Sequence, residues 1–125
     1  MVWDDDAIVS GLKLTMQVGG VEPDDVLLVE APPELGGRTC VVAWLVPPEY
    51  ASAADLLPSL GSMFGAVAGA NIYQGAAIET VLILAGTEAG EALFSISVAA
   101  ADVEAFVGDV LTDVEFIARW EVKTP

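Results

Sequence analysis

The sequence predicts an α+β domain: an antiparallel sheet with helices on one face, ferredoxin-like in its βαββαβ order from about residue 39 onward, preceded by one or two extra N-terminal strands. Three observations carry that expectation. Short apolar runs bounded by Gly and Pro recur along the chain, as strands do. Two other segments place apolar residues at helical spacing. The chain has 125 residues, 54% of them hydrophobic, which is enough to close one core without staples. Residues 1–125 therefore read as a single domain: an N-terminal segment (1–10), an extra strand or hairpin region (11–38) and the βαββαβ core (39–123).

The segment Leu12 to Val18 alternates apolar and polar residues, the period of a half-buried strand. A helix from Ala7 competes, with Ile8, Val9, Leu12 and Met16 on one face. It leaves Leu14 and Val18 on the opposite face, so the strand is preferred. Gly19 and Gly20 end it, and Glu22-Pro23-Asp24-Asp25 is a polar turn. Val26 to Ala31 is the next strand. Pro32 to Gly37 forms a loop, and Thr39 to Val46 is a third strand stopped by Pro47-Pro48. The run Val41 to Val46 is apolar at nearly every position, which predicts cover on both of its faces.

Ser52 and Asp55 mark a helix start. Leu56, Leu57, Leu60, Met63, Phe64 and Val67 follow at helical spacing, and Pro58 is tolerable only near the first turn. Gly61, Gly65 and Gly69 recur every fourth residue of that helix. Each costs roughly 1 kcal/mol of helix propensity, so something must approach the bare stripe closely. The helix's own sheet is the expected neighbour, and a second subunit is the alternative. Thr80 to Ala85 and Ala92 to Val98 form a hairpin through Gly86 to Gly90. Ala99 to Leu111 is the clearest helix. Val114, Phe116, Ala118, Trp120 and Val122 alternate with polar partners and Ile117, predicting a long final strand.

Charge narrows function more than any motif does. Nineteen acidic residues face four basic ones, there is no histidine, and the net charge is -15. The mean hydropathy is +0.62, so the charge is not that of a disordered acidic tail. Two readings account for it. In a salt-rich cell, repulsion among surface carboxylates is screened, since the Debye length is about 3 Å at 1 M. Alternatively an acidic face meets a cationic partner. The dispersed placement of the acids favours the halophilic reading. Nucleic acid is not an expected partner, because phosphate binding needs a basic patch. Leu56 to Ile78 carries no charge, yet its Pro, Gly, Asn and Gln residues and the lack of flanking Lys or Arg speak against a membrane span.

Without histidine, Ser-His-Asp, Cys-His and His-ligated metal chemistry are excluded. Cys40 stands alone in an apolar run, a buried small hydrophobe in a cytoplasmic protein. Asp4-Asp5-Asp6 and Glu22/Asp24/Asp25 match no cation-binding loop and read as solvated turns. Neither a cofactor nor a metal is expected. Arg119 is placed on a strand face beside Glu115 and Glu121, paired internally or open to a carboxylate ligand. Arg38 is expected at the surface.

Two functions follow. The first is a non-catalytic cytoplasmic domain acting through protein contacts as adaptor, assembly or chaperone-like module. Its partner is another protein or itself as a homo-oligomer, with Trp3, Gly61, Gly65 and Gly69 at the interface. The alternative is a small-molecule-binding or enzymatic ferredoxin-like domain, with Tyr50, Tyr73 and Arg119 around a pocket between sheet and helices. The halophilic reading makes a direct prediction. The thermal midpoint, followed by circular dichroism, should rise between dilute buffer and ~1 M NaCl, and an unchanged midpoint would remove that reading.

Overall fold

A computed structural model describes residues 4–35, 37–47 and 53–125 of the chain. Trp3, Tyr50 and Ser52 lie outside the described residues, as does the side chain of Asp55. The elements run α1 (Asp5–Val18), β1 (Asp25–Val29), β2 (Thr39–Leu45), α2 (Ala53–Gln74), β3 (Thr80–Gly86), β4 (Ala92–Ala99), α3 (Ala100–Val107), α4 (Asp113–Ile117) and β5 (Glu121–Lys123). A short 3-10 turn spans Pro33–Leu35.

The five described strands form one sheet in the order β1-β2-β3-β4-β5. β2 and β3 are parallel and every other neighbouring pair is antiparallel. The sheet is thus mixed, which corrects the expected antiparallel one. The split βαβ order is not what the sheet has either. A split unit separates the two strands that the helix joins, whereas β2 and β3 here are direct neighbours over the register Thr39↔Thr80 to Leu45↔Gly86. The two most apolar strands share the middle, and β4, with Ser95 and Ser97, returns on the outer side of β3. One N-terminal strand, β1, extends the sheet.

Two segments differ from their expected class. Residues 7–18 are helical. Ile8, Leu12 and Met16, spaced by four, are buried, while Leu14 and Val18 face water. Single exposed apolar residues are ordinary on surfaces, so they are weak grounds for a strand. The start signal lies just upstream: the Asp4 carboxylate accepts from the Ala7 backbone N–H at 2.7 Å, with Asp5 and Asp6 in the first turn. The long final strand is instead α4 followed by the three-residue β5. Thr112 and Glu115 form a reciprocal capping box, which overrides the alternation that follows. These hydrogen bonds also hold the Glu115 carboxyl below its usual range. Phe116 is buried, and Trp120, four residues on, packs against it.

Along the strands one face is buried and the other is open. Val26, Val42, Ile83 and Ile96 form a cross-strand row beneath the helices, as do Cys40, Val81 and Val98. The helices close this face with Ile8, Leu12 and Met16 from α1, Leu60, Met63, Phe64 and Val67 from α2, and Val103 from α3. Burial pushes the Cys40 thiol up to about 12, so it stays protonated at neutral pH.

Asn71 and Arg38 pin the connections around β3 and α1. Asn71 exchanges hydrogen bonds with both backbone groups of Ile78, at 2.8 and 2.9 Å, fixing the turn into β3. Arg38, expected at the surface, has a side chain only 17% exposed. It binds the Asp5 carboxylate and donates to the Ala76 carbonyl. Its Nε lies 3.4 Å from Glu30, an electrostatic contact outside hydrogen-bond geometry, since that nitrogen has no hydrogen-bond partner. One guanidinium therefore ties the start of α1, the end of β1 and the turn before β3. Arg38→Met keeps the apolar stem but leaves the Ala76 carbonyl unpaired. It should lower unfolding free energy by about 2 kcal/mol in urea titrations, and a loss below the error of the measurement would show the clasp to be idle.

Candidate interaction surface

The cross-strand registers define the sheet face opposite the helices. One row runs Asp25, Ala43, Leu84, Ser95, Lys123, and the next runs Leu27, Val41, Leu82, Ser97, Glu121. Val29, Thr39, Thr80 and Ala99 make a third. In the four strands β1 to β4 every residue of these rows is uncharged except Asp25 at the β1 edge. Leu27 is 50% exposed, Val29 45%, Leu45 41% and Leu84 44%. Shallow grooves cross this side of the sheet, one bordered by Leu45, Leu84 and Gly86 and another by Leu84, Ser95 and Lys123.

The continuity of this face explains why cover was expected on both sides of the strands. Val41 to Val46 is apolar at nearly every position, and so is Val81 to Ala85. Such runs belong to strands buried on both faces. Among the described residues, helices cover one face only. Leu27, Val29 and Leu84 thus join the candidate site unanticipated, and the signal that pointed to them is the double-sided pattern itself.

The helix side holds a different feature. Phe64, Phe106, Phe116 and Trp120 cluster, with Phe106 stacked on Phe116 at 4.3 Å and Phe64 edge-on to Phe116 at 5.1 Å. Beside them opens a cavity of about 150 Å³ lined by these rings, Leu57, Leu60, Gly61, Ile117 and, at its only charged position, Asp113. The Trp120 indole N–H is buried without a hydrogen-bond partner.

The residues singled out from sequence are scattered. Tyr73, at the end of α2, is 83% exposed. Arg119 follows α4 and pairs with Asp102 at 3.2 Å. Neither lines the aromatic cavity. Asp4 and Asp5 serve α1 and Arg38, and Asp25 pairs with Lys13 at 3.6 Å. No group of three or more potential metal ligands occurs among the described residues. No described helix is long and apolar enough to cross a membrane.

Gly61, Gly65 and Gly69 lie on α2 with nothing within 4 Å of the position a Cβ would take. The sheet therefore does not approach the stripe, which corrects the expected packing. Close approach between helices falls on the α1 side instead. A Cβ on Gly19 would sit 2.6 Å from the Ser62 hydroxyl and 2.8 Å from its Cβ. At Gly11 the neighbour is the flexible end of Gln74, which can move aside.

No protein-family model, no curated protein and no solved structure matches the chain, so function rests on the surface itself.

Alanine substitutions test which glycines the fold requires. Gly61→Ala, Gly65→Ala and Gly69→Ala should each stabilise the isolated chain by roughly 0.5–1 kcal/mol. Gly19→Ala should destabilise it by about 1–3 kcal/mol through overpacking. Denaturant melts of the four variants read both signs, and a loss at all three α2 positions would show a close contact there.

Proposed function

We propose that this chain is a non-catalytic, protein-binding domain of an adaptor, assembly or chaperone-like kind. The observation that carries the reading is the uncharged apolar face of the central strands. Its sequence pattern calls for a second covering layer, and the described residues supply only one. Burying each exposed leucine of that face gains about 1.5–3 kcal/mol at most, so a protein layer laid across it has a substantial driving force. A cytoplasmic, salt-rich setting accords with the reading. Dissolved salt screens the carboxylates that would keep partners apart, and it leaves apolar contact intact.

A small-molecule reading has its own supporting observation, the partnerless Trp120 indole N–H beside the aromatic cavity. A small aromatic or aliphatic molecule with one acceptor oxygen would suit those walls. At about 150 Å³ the cavity falls below the usual size of ligand pockets, ~300 Å³ and above, which ranks this reading second.

Photo-crosslinking separates the two. A crosslinking amino acid placed at Leu84, and in a second sample at Tyr73, is irradiated in extract of the source cells. Protein adducts at position 84 and few at position 73 are the expected result. Equal labelling at both positions, or none at 84, would overturn the protein-contact reading.

A further inference from the structure

The partner of the open face can be narrowed from the arrangement of charge around it. The chain has two lysines: Lys123 stands in the edge strand β5, and Lys13, on α1, reaches the β1 edge. Lys13 pairs with Asp25 at the β1 edge, and Lys123 pairs with Glu121 at the β5 edge at 3.5 Å. On a chain of net charge -15, the two lysines offset Asp25 and Glu121 at this rim, while Glu91 borders one of the grooves uncompensated. A cationic partner would gain nothing by choosing it over the acidic remainder of the surface. A partner that is itself strongly acidic meets the least repulsion here.

The face is also self-complementary. Asp25 and Lys123 end the same cross-strand row, with Ala43, Leu84 and Ser95 between them. A twofold axis parallel to the strands and centred over β3 would lay β1 of one sheet on β5 of the other. Asp25 then faces Lys123 twice, and Leu84 meets its own copy near the axis. Isologous contacts require this pattern, in which residue i meets j and j meets i. The same axis brings Glu121 over Leu27 of the other copy, at the outer end of the second row, where the carboxylate keeps Lys123 and water. Strands of three to eight residues at about 3.3 Å per residue, spaced at about 4.8 Å, give the face roughly 400 Å² of projected area, the scale of a small interface.

We infer that the second layer is another copy of this chain, packed sheet to sheet about that axis, with Asp25 of each copy over Lys123 of the other. The inference rests on the protein-contact reading above and names its partner. Face-to-face sheets pack about 10 Å apart, a separation that Asp and Lys side chains span together.

Sedimentation of the purified full chain in ~1 M NaCl is the first test. It should give twice 12.9 kDa at high concentration and one chain on dilution. Leu84→Glu should raise the dimer dissociation constant ~100-fold or more while the circular dichroism melt stays cooperative. Ser95→Arg, at a position already polar, serves if that variant does not fold. The charge pattern gives the sharper test, run at low salt. Lys123→Glu alone sets a carboxylate against the Asp25 carboxylate, and Asp25→Lys alone sets an ammonium against the Lys123 ammonium. Each should weaken self-association ~10-fold, and an equimolar mixture of the two variants should form a heterodimer of unmodified affinity. A wild-type monomer at every concentration, a dimer indifferent to both face variants, or no recovery on mixing overturns the inference. Crosslinks at position 84 to a protein of another mass would sink the self-pairing and leave the protein-contact reading standing. No crosslinks at all would remove both.

Discussion

Parallel pairing of β2 with β3 is the constraint on which the rest of the structure depends. Parallel neighbours cannot be joined by a tight turn and need a crossover of a dozen residues or more. α2 is that crossover, and its length lays it over the sheet centre. Once α2 occupies one face, α1 and α3 have only its flanks to fill, and both pack against it. All the helices thus gather on a single side. The absence of a covering layer on the other side, among the described residues, follows from this arrangement and not from any weakness of the strands themselves.

The buried side is closed in an orderly way. Rows of Val, Ile and Cys cross the sheet in register, and the helices add Leu, Met and Phe above them. The connections that bring the elements together are held by few polar groups. Asn71 satisfies both backbone groups of Ile78, and Arg38 gathers three segments on one guanidinium. A chain with four basic residues has spent one of them on the inside of its own fold. The remaining arginine pairs with Asp102, and the two lysines pair with carboxylates at the sheet edges. None of the four is gathered into a patch of positive charge.

Most elements were legible in the sequence because Gly and Pro punctuate it clearly. The four strands from Asp25 to Ala99 and the helices beginning at Ala53 and Ala100 fall close to their expected places. The failures have physical causes. Residues 12–18 alternate, but a side chain of period two also fits a helix whose back is partly apolar, and the Asp4 cap decides between them. The C-terminal alternation yielded to a capping box one turn earlier. Strand order was not legible, because pairing partners are chosen across long separations that no local pattern records. The candidate surface was half legible. The double-sided apolar character of β2 was visible, but which face lacked cover depended on where a single crossover helix came to rest.

The composition of α2 has a kinetic consequence. A 22-residue helix interrupted by Pro58 and carrying Gly61, Gly65 and Gly69 has little tendency to form alone in water. Its turns must condense onto strands that are already paired. The β3–β4 hairpin, with close ends and a tight connection, is the natural template. The crossover then settles last, and until it does the chain presents apolar surface on both sides of its sheet.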